Sequence, residues 1–239
     1  EQVSFSKGLN LGNDKGTINF SGEWTKATQK LTSPYSSYTR RGFAANYSNT
    51  FGKALRFDVG MSGNIGGMNT KDDPDAYSGE FTKVRDNVFQ ANTSLAWLLN
   101  KSWITNLKLD ASVYYRDNNS HARTYNSYAS EQPAVHAQQE GYFIADKLPY
   151  TYFADQIDDS KELNYAAALK YEWNRRFKGV NSNLKAGVQW KATGNVGEGE
   201  YYLNPALAPN GYRPRPYTAY PFMHNVSFYA EENLTIPVG

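Results

Sequence analysis

The residues best equipped for chemistry lie in stretches that lack strand periodicity. Segment 201–222 holds Tyr201, Tyr202, Tyr212, Tyr217, Tyr220 and Phe222, with Arg213 and Arg215 set between prolines. Segment 125–153 adds Tyr125, Tyr128, Tyr142, Phe143, Tyr150, Tyr152 and Phe153. Aromatic faces stack on the apolar patches of sugars and peptides, and a guanidinium fixes carboxylates or hydroxyls. Tyr125, Tyr128, Tyr142, Tyr152, Tyr202, Tyr212, Arg213, Arg215 and Tyr217 are therefore candidates for lining a substrate vestibule or a partner contact. Long loops must also pack on themselves to stay ordered, and Tyr suits that role equally. Pro205, Pro209, Pro214, Pro216 and Pro221 favour an extended, ordered run over a flexible tether.

Other groups carry weaker signals. The acidic run Asp72-Asp73-Pro74-Asp75-Ala76-Tyr77-Ser78-Gly79-Glu80 offers Asp73, Asp75 and Glu80 as oxygen ligands for Ca²⁺. It lacks the EF-hand spacing, and an acidic solvated turn is the preferred reading; Asp155, Asp158 and Asp159 are judged likewise. His121, His136 and His224 fall in no metal-protease pattern, and no Ser sits in a nucleophile elbow. The expectation is a protein that is not an enzyme and needs no cofactor. The sharpest enzymatic alternative is an outer-membrane protease with Asp and His at a loop rim, which requires a carboxylate beside His121 or His136; Glu131 and Glu140 are the nearest in the same segment.

What must position these segments is a series of long strands. Leu163, Tyr165, Ala167, Leu169, Tyr171 and Trp173 alternate with Asn164, Ala166, Ala168, Lys170, Glu172 and Asn174, the period of a β-strand. After a turn at 175–179, Leu184, Ala186, Val188 and Trp190 alternate with Lys185, Gly187, Gln189 and Lys191 from a second strand starting at Asn183. The same period recurs over 17–24, 42–49, 55–62, 89–97, 107–116 and 226–236, with a partial strand over 3–7. On the last strand Glu232 falls among the apolar positions, which predicts a β-bulge or a shifted register there. Strands of about 10 residues with one apolar face match the crossing of an outer membrane.

Connections sort by length: short links near 12–16, 50–53, 98–102 and 175–182 alternate with long ones near 26–38, 63–84, 118–160 and 195–224. Short turns at one end and long loops at the other is the layout of an outer-membrane barrel, not of a Greek-key sandwich. Trp97, Trp103 and Trp173 lie beside short turns and Trp24 near a long-loop end; with Trp190 they are candidates for interfacial girdles. Composition agrees, because 40 % apolar residues with 19 Tyr is poor for a globular core and rich for a wet-lumened barrel. No apolar run reaches the roughly 18 residues of a membrane helix. The absence of Cys removes thiolate chemistry, and a net charge of +2 gives no argument for nucleic acid. The opening Glu1-Gln2-Val3 carries no features of an export signal, so any such signal lies upstream or has been removed.

The segments Leu163-Asn164-Tyr165-Ala166-Ala167, Gly211-Tyr212-Arg213-Pro214-Arg215-Pro216-Tyr217 and Met223-His224-Asn225-Val226-Ser227-Phe228-Tyr229-Ala230-Glu231-Glu232 resemble the SusC/RagA-like TonB-dependent outer-membrane transporters of Bacteroidetes. Tyr38 to Phe43 and Met61 to Asn64 look like the first hairpins of the same barrels. The resemblance covers nearly the whole chain but only a middle portion of such a protein, making 1–239 a partial barrel domain of about eight to nine strands without the plug or the C-terminal strands. It implies an all-β, transmembrane, antiparallel up-and-down barrel of about 22 strands, plugged by an N-terminal domain. It further implies residence in the bacterial outer membrane and active import of a nutrient such as an oligosaccharide or peptide. The expected partners are outer-membrane lipid, the TonB system acting through the plug, and a SusD-like surface lipoprotein. A complete small barrel acting as a passive pore or adhesin is the alternative.

Overall fold

The computed structural model describes residues 1–12, 16–29, 33–73, 75, 79–126, 131–133, 143–145, 152–209 and 211–236. The chain is all-β, and nearly every described strand is antiparallel to its sequence neighbour. The strands are β1 (Gln2–Leu11), β2 (Gly16–Gln29), β3 (Ser33–Phe51), β4 (Leu55–Lys71), β5 (Phe81–Lys101) and β6 (Ile104–Asn126). There follow β7 (Glu131–Pro133), β8 (Phe143–Ala145), β9 (Tyr152–Phe177), β10 (Val180–Asn195), β11 (Gly199–Tyr202) and β12 (Met223–Thr235). The order β1-β2-β3-β4-β5-β6-β9-β10-β12 makes one up-and-down sheet, open at β1 and β12 among the described residues; β11 pairs β9, and β7 pairs β8 separately.

Each strand segment anticipated from the alternation lies within this sheet. The strands run further than the alternation indicates, however. β4 continues to Lys71, β6 to Asn126, and β9 begins at Tyr152, so both flanks of the long loops expected at 63–84 and 118–160 are paired backbone. Beyond the apolar stretch both faces turn polar, which erases the period-two signal while the backbone ladder persists. The β9–β10 hairpin is also tighter than expected. Phe177 pairs Val180 directly, and Lys178 (φ 46) and Gly179 (φ 87) form a two-residue turn with both centres left-handed. Such turns carry the right-handed twist of the flanking strands, and Gly179 adopts its φ without a Cβ penalty.

Register sorts the side chains into two faces. One cross-strand row holds Ile18, Tyr47, Val59, Thr93, Ala111, Ala167, Trp190 and Val226. The neighbouring row, one residue along each strand and so on the other face, holds Thr17, Ser48, Asp58, Ser94, Asp110, Ala168, Gln189 and Ser227. On β6 the apolar face runs from Leu107 to Tyr115, roughly 27 Å of strand at about 3.4 Å per residue. Near its upper limit a row alternates rings with glycine from Phe5 through Gly22, Phe43 and Gly63 to Phe89, and continues with Tyr115, Leu163 and Gly194. Phe43 and Phe89 bracket Gly63 with centroids 6.2 Å apart, and a Cβ on Gly63 would meet the Phe43 ring at 2.6 Å.

The polar face carries its charges in pairs. Arg56 Nε lies 2.9 Å from Asp58, and Asp110 is shared by Lys108 at 3.1 Å and Lys170 at 2.9 Å. Glu172 accepts from Asn183 Nδ2 at 3.0 Å. The expected bulge at Glu232 is absent: β10 and β12 hold one register from Asn181↔Thr235 to Thr193↔Met223. Glu232 stands opposite Leu184 on the apolar face, at its lower margin, and accepts from Ser182 Oγ at 2.9 Å. Its place at that margin, with a partner hydroxyl beside it, removes the need for a bulge.

Candidate functional site

The upper part of β9 and the segment that follows β10 build one polar recess. β10 and β11 are successive partners of β9, with Asn195↔Glu162 and Gly199↔Asp159, so one extra residue is accommodated at 196–198. Asp159, 5 % exposed, clamps that kink. Its carboxylate accepts from Asn119 Nδ2 at 3.1 Å, the Glu198 N–H at 3.1 Å and Lys161 Nζ at 2.7 Å. Burial works against ionisation; Lys161, the Glu198 amide and Asn119 together outweigh it and hold the carboxyl below its ordinary range. Asn195 completes the clamp by accepting from the N–H groups of Lys161 and Gly197, both at 2.9 Å.

From this kink the chain turns back over the polar face. Glu200 forms a reciprocal backbone bridge with Arg215, at 3.2 and 3.0 Å, and its carboxylate lies 3.5 Å from the Arg215 guanidinium. Gln156 Nε2 donates to Glu200 at 2.6 Å. Tyr212 donates to the Glu200 carbonyl at 2.7 Å while its ring meets Tyr202 edge-on at 4.8 Å. Tyr217 donates to Asp158 Oδ1 at 2.9 Å, and burial first, then that carboxylate, pushes its phenol up to about 12. Beneath this overhang lies a cavity of about 420 Å³. Glu162, Asn164, Thr193 and Asn195 form its polar side, and Tyr217, Tyr220, Pro221 and Met223 its cover.

The candidate residues thus divide. Tyr202, Tyr212, Arg215 and Tyr217 come together here, and Tyr152, 7 % exposed, is buried on the strand that carries them. They pack on one another and on β9, as a self-ordered loop does, while Tyr217 also covers the cavity. Arg213 is exposed at the bend of the segment. Tyr125 belongs to β6 rather than a loop; its ring tilts against Phe153 at 5.5 Å, and its N–H donates to Glu80 Oε1 at 2.6 Å. Tyr125 is in phase with Leu107, Leu109 and Tyr115 on the apolar side of β6, away from the recess. Tyr128, Tyr142 and Tyr150 lie outside the described residues, as do His136 and Glu140.

Sequence reading did not single out Gln156, Glu162, Asn164, Thr193 or Glu200, which supply the recess with most of its polar atoms. The signal was present: Tyr152, Ala154, Gln156, Asp158, Ser160 and Glu162 share one face of a strand. Acidic and amide residues on both faces there, with Phe153, Ala154 and Ile157 in no period of two, conceal it.

The remaining candidates take separate places. Asp73 Oδ1 accepts from the Asp75 N–H at 2.9 Å while Glu80 serves Tyr125. Among the described residues no three His, Cys, Asp or Glu side chains gather as metal ligands. Trp97 shares a row with Leu107 and Tyr171, Trp103 stands in the β5–β6 turn, and Trp173 Nε1 donates to the Ser102 carbonyl at 2.8 Å, all at the short-turn end. Trp24 pairs with Arg41 at the other end. Trp190 sits in the middle of the apolar face, stacked on His224 at 5.9 Å.

Among the described residues His121 does find a carboxylate, supplied by Asp155 of β9. Nε2 and Oδ1 are 2.7 Å apart, and the Arg123 guanidinium grips both oxygens of Asp155 at 2.9 and 3.1 Å. Arg123 chiefly, with His121 helping and burial opposing, holds this carboxyl below its ordinary range. The cluster lies above the apolar face, with the Phe81 ring edge-on to His121 at 5.0 Å and Arg123 over it at 5.1 Å. No protein-family model matches the chain, and no curated protein matches it.

Proposed function

We propose that this chain forms part of the wall of an outer-membrane β-barrel transporter of the TonB-dependent kind, similar to the SusC/RagA-like group of Bacteroidetes, that imports an oligosaccharide or a peptide. The observation that carries the reading is the two-faced sheet. An uninterrupted apolar face about 27 Å along the strands becomes about 21 Å of height at the ~40° tilt of outer-membrane barrels. That height, which includes the aromatic rows of Trp97 and of Phe89 at its margins, approaches the ~25 Å such barrels present to lipid. The opposite face, charged and internally paired, suits a wet lumen or the surface of a plug. The sheet's two open edges cannot rest in hydrocarbon, so on this reading they pair with further strands.

The recess below Tyr217 then opens on the lumen side, where Glu162, Asn164 and Thr193 offer hydrogen-bonding groups and the Tyr220 and Pro221 faces offer stacking. Capture there, closure by a lipoprotein lid, and plug movement driven through TonB complete the proposed cycle. Uptake of labelled oligosaccharides or peptides by cells carrying the protein tests it. Collapse of the proton-motive force is expected to stop uptake; uptake insensitive to an uncoupler would favour a passive pore. Intact mass from the native membrane is expected to exceed the 26.9 kDa of this chain several-fold. A mass equal to it leaves no plug and defeats the active-transport reading.

The hydrolase alternative has one observation in its favour, the His121–Asp155 pair. Arg123 neutralises that carboxylate, and the pair stands above the lipid-facing surface, away from the recess. His121→Ala is expected to leave uptake intact; loss of peptide hydrolysis on that substitution would favour the enzyme.

A further inference from the structure

Above the apolar face the charges divide unevenly along the sheet. On β6 and β9 each described cation has an acid: Arg123 meets Asp155 at 2.9 Å, and Lys161 meets Asp159 at 2.7 Å. On β2–β5 the same face holds Lys26, Arg41, Lys83 and Arg85, all exposed. Arg41 stands opposite Trp24, Lys26 opposite Thr39, and Arg85 opposite Gly67. Gly67 leaves the face bare of a side chain between Thr39 and Arg85. The acids nearby are Asp117, engaged by Arg85 at 3.1 Å, and Glu1 at the sheet edge opposite Lys26.

From this placement we infer that Lys26, Arg41, Lys83 and Arg85 form a docking surface for the phosphate of an anionic membrane lipid whose acyl chains lie along the Phe5–Phe43–Phe89 row. The inference rests on the reading of the apolar face as lipid-facing. Strands lie about 4.8 Å apart, so the side chains of β3 and β5 reach over the bare position at Gly67 from both sides. A phosphate at that height sits one residue pair beyond Trp24, where the headgroup layer begins. Its tails continue downward over the glycine-backed rings, and the charge excess above them is of the opposite sign. A soluble phosphate satisfies the cations but leaves those rings uncovered, so the lipid is the better occupant.

This chain contains no Cys, so single labels are placed in it once any Cys elsewhere in the full-length protein is replaced by Ser. In the full-length protein, a bimane on Thr39→Cys reports this surface and one on Leu109→Cys the middle of the apolar face. The protein is reconstituted in vesicles containing brominated phosphatidylglycerol or brominated phosphatidylcholine, and lipid affinity is read from quenching. At Leu109→Cys both lipids should quench alike. At Thr39→Cys phosphatidylglycerol should be favoured by about 5–30-fold, the contribution of one or two cations. Combining Lys26→Gln, Arg41→Gln and Lys83→Gln should bring that preference close to unity. Quenching at Leu109→Cys without a preference at Thr39→Cys overturns this inference alone. Absence of quenching at Leu109→Cys overturns the membrane reading beneath it. A preference abolished by inorganic phosphate at unchanged ionic strength would assign the cations to a soluble anion and overturn the lipid.

Discussion

Gly63 lies under the rings of Phe43 and Phe89, and any side chain there must displace them. Gly63→Val is expected to destabilise the sheet by about 1–3 kcal/mol, the range for overpacking, checked by a urea titration of the refolded protein. Asp155 presents a second residue-scale test. Its carboxyl is held below its ordinary range, so its contribution is complete above about pH 4–5 and fades as pH falls through the folded value. Asp155→Asn should cost about 1–2 kcal/mol, the exposure of Arg123 screening part of the pair. Hydrogen-exchange protection at the upper ends of β6 and β9, taken relative to the intrinsic rate at each pH, should fall on acidification in the native protein and much less in the variant. Tyr217 shifts the opposite way: its neutral hydrogen bond to Asp158 holds through pH 10 and is lost as pH rises through about 12. The absorbance titration of native protein minus Tyr217→Phe should therefore place one phenolate near pH 12 instead of 10; a midpoint near 10 would detach Tyr217 from Asp158.

At the scale of elements, β6 shows what alternation decides. Leu109 shares a row with Leu95 and Leu169, and Asp110, one residue on, joins Lys108 and Lys170 on the other face. Leu109→Arg is expected to cost about 2–4 kcal/mol of stability in lipid. Asp110→Asn should cost about 0.5–1 kcal/mol, since its partners are half-exposed. Equal losses in a folding titration would overturn the facing assignment. The same alternation made the strands legible from sequence: Leu107, Leu109, Ala111 and Val113 against Lys108, Asp110, Ser112 and Tyr114 admit no other period. Legibility stopped where the faces cease to differ. Asp117 to Asn126 and Tyr152 to Glu162 pair fully, yet both sides of each strand are polar, so sequence presented them as loop. The recess suffered with them. Tyr202, Tyr212, Arg215 and Tyr217 stood out by composition, but Glu200 and Asp158, which hold them, acquire that role only through pairing between β9 and β11. His121 and Asp155 meet across β6 and β9 for the same reason.

For the whole molecule, the order β1 to β6, β9, β10 and β12 places sequence neighbours beside each other, except where short β7–β8 and β11 depart from the path. A sheet apolar along one face and charged along the other is what the proposed barrel wall requires, with lipid on one side and a wet lumen on the other. β12 is exposed throughout, with Phe228 at 79 % and Leu234 at 58 %, and on the proposed reading a further strand and lipid cover it. The most direct test uses neighbouring residues of β6, in a chain with no Cys of its own, after replacement of any Cys elsewhere in the protein by Ser. Ala111→Cys and Ser112→Cys are compared in intact outer membranes with a small, membrane-impermeant, charged maleimide. The account predicts labelling of Ser112→Cys from the aqueous side and protection of Ala111→Cys until detergent is added. Equal labelling of both positions in the membrane would contradict it.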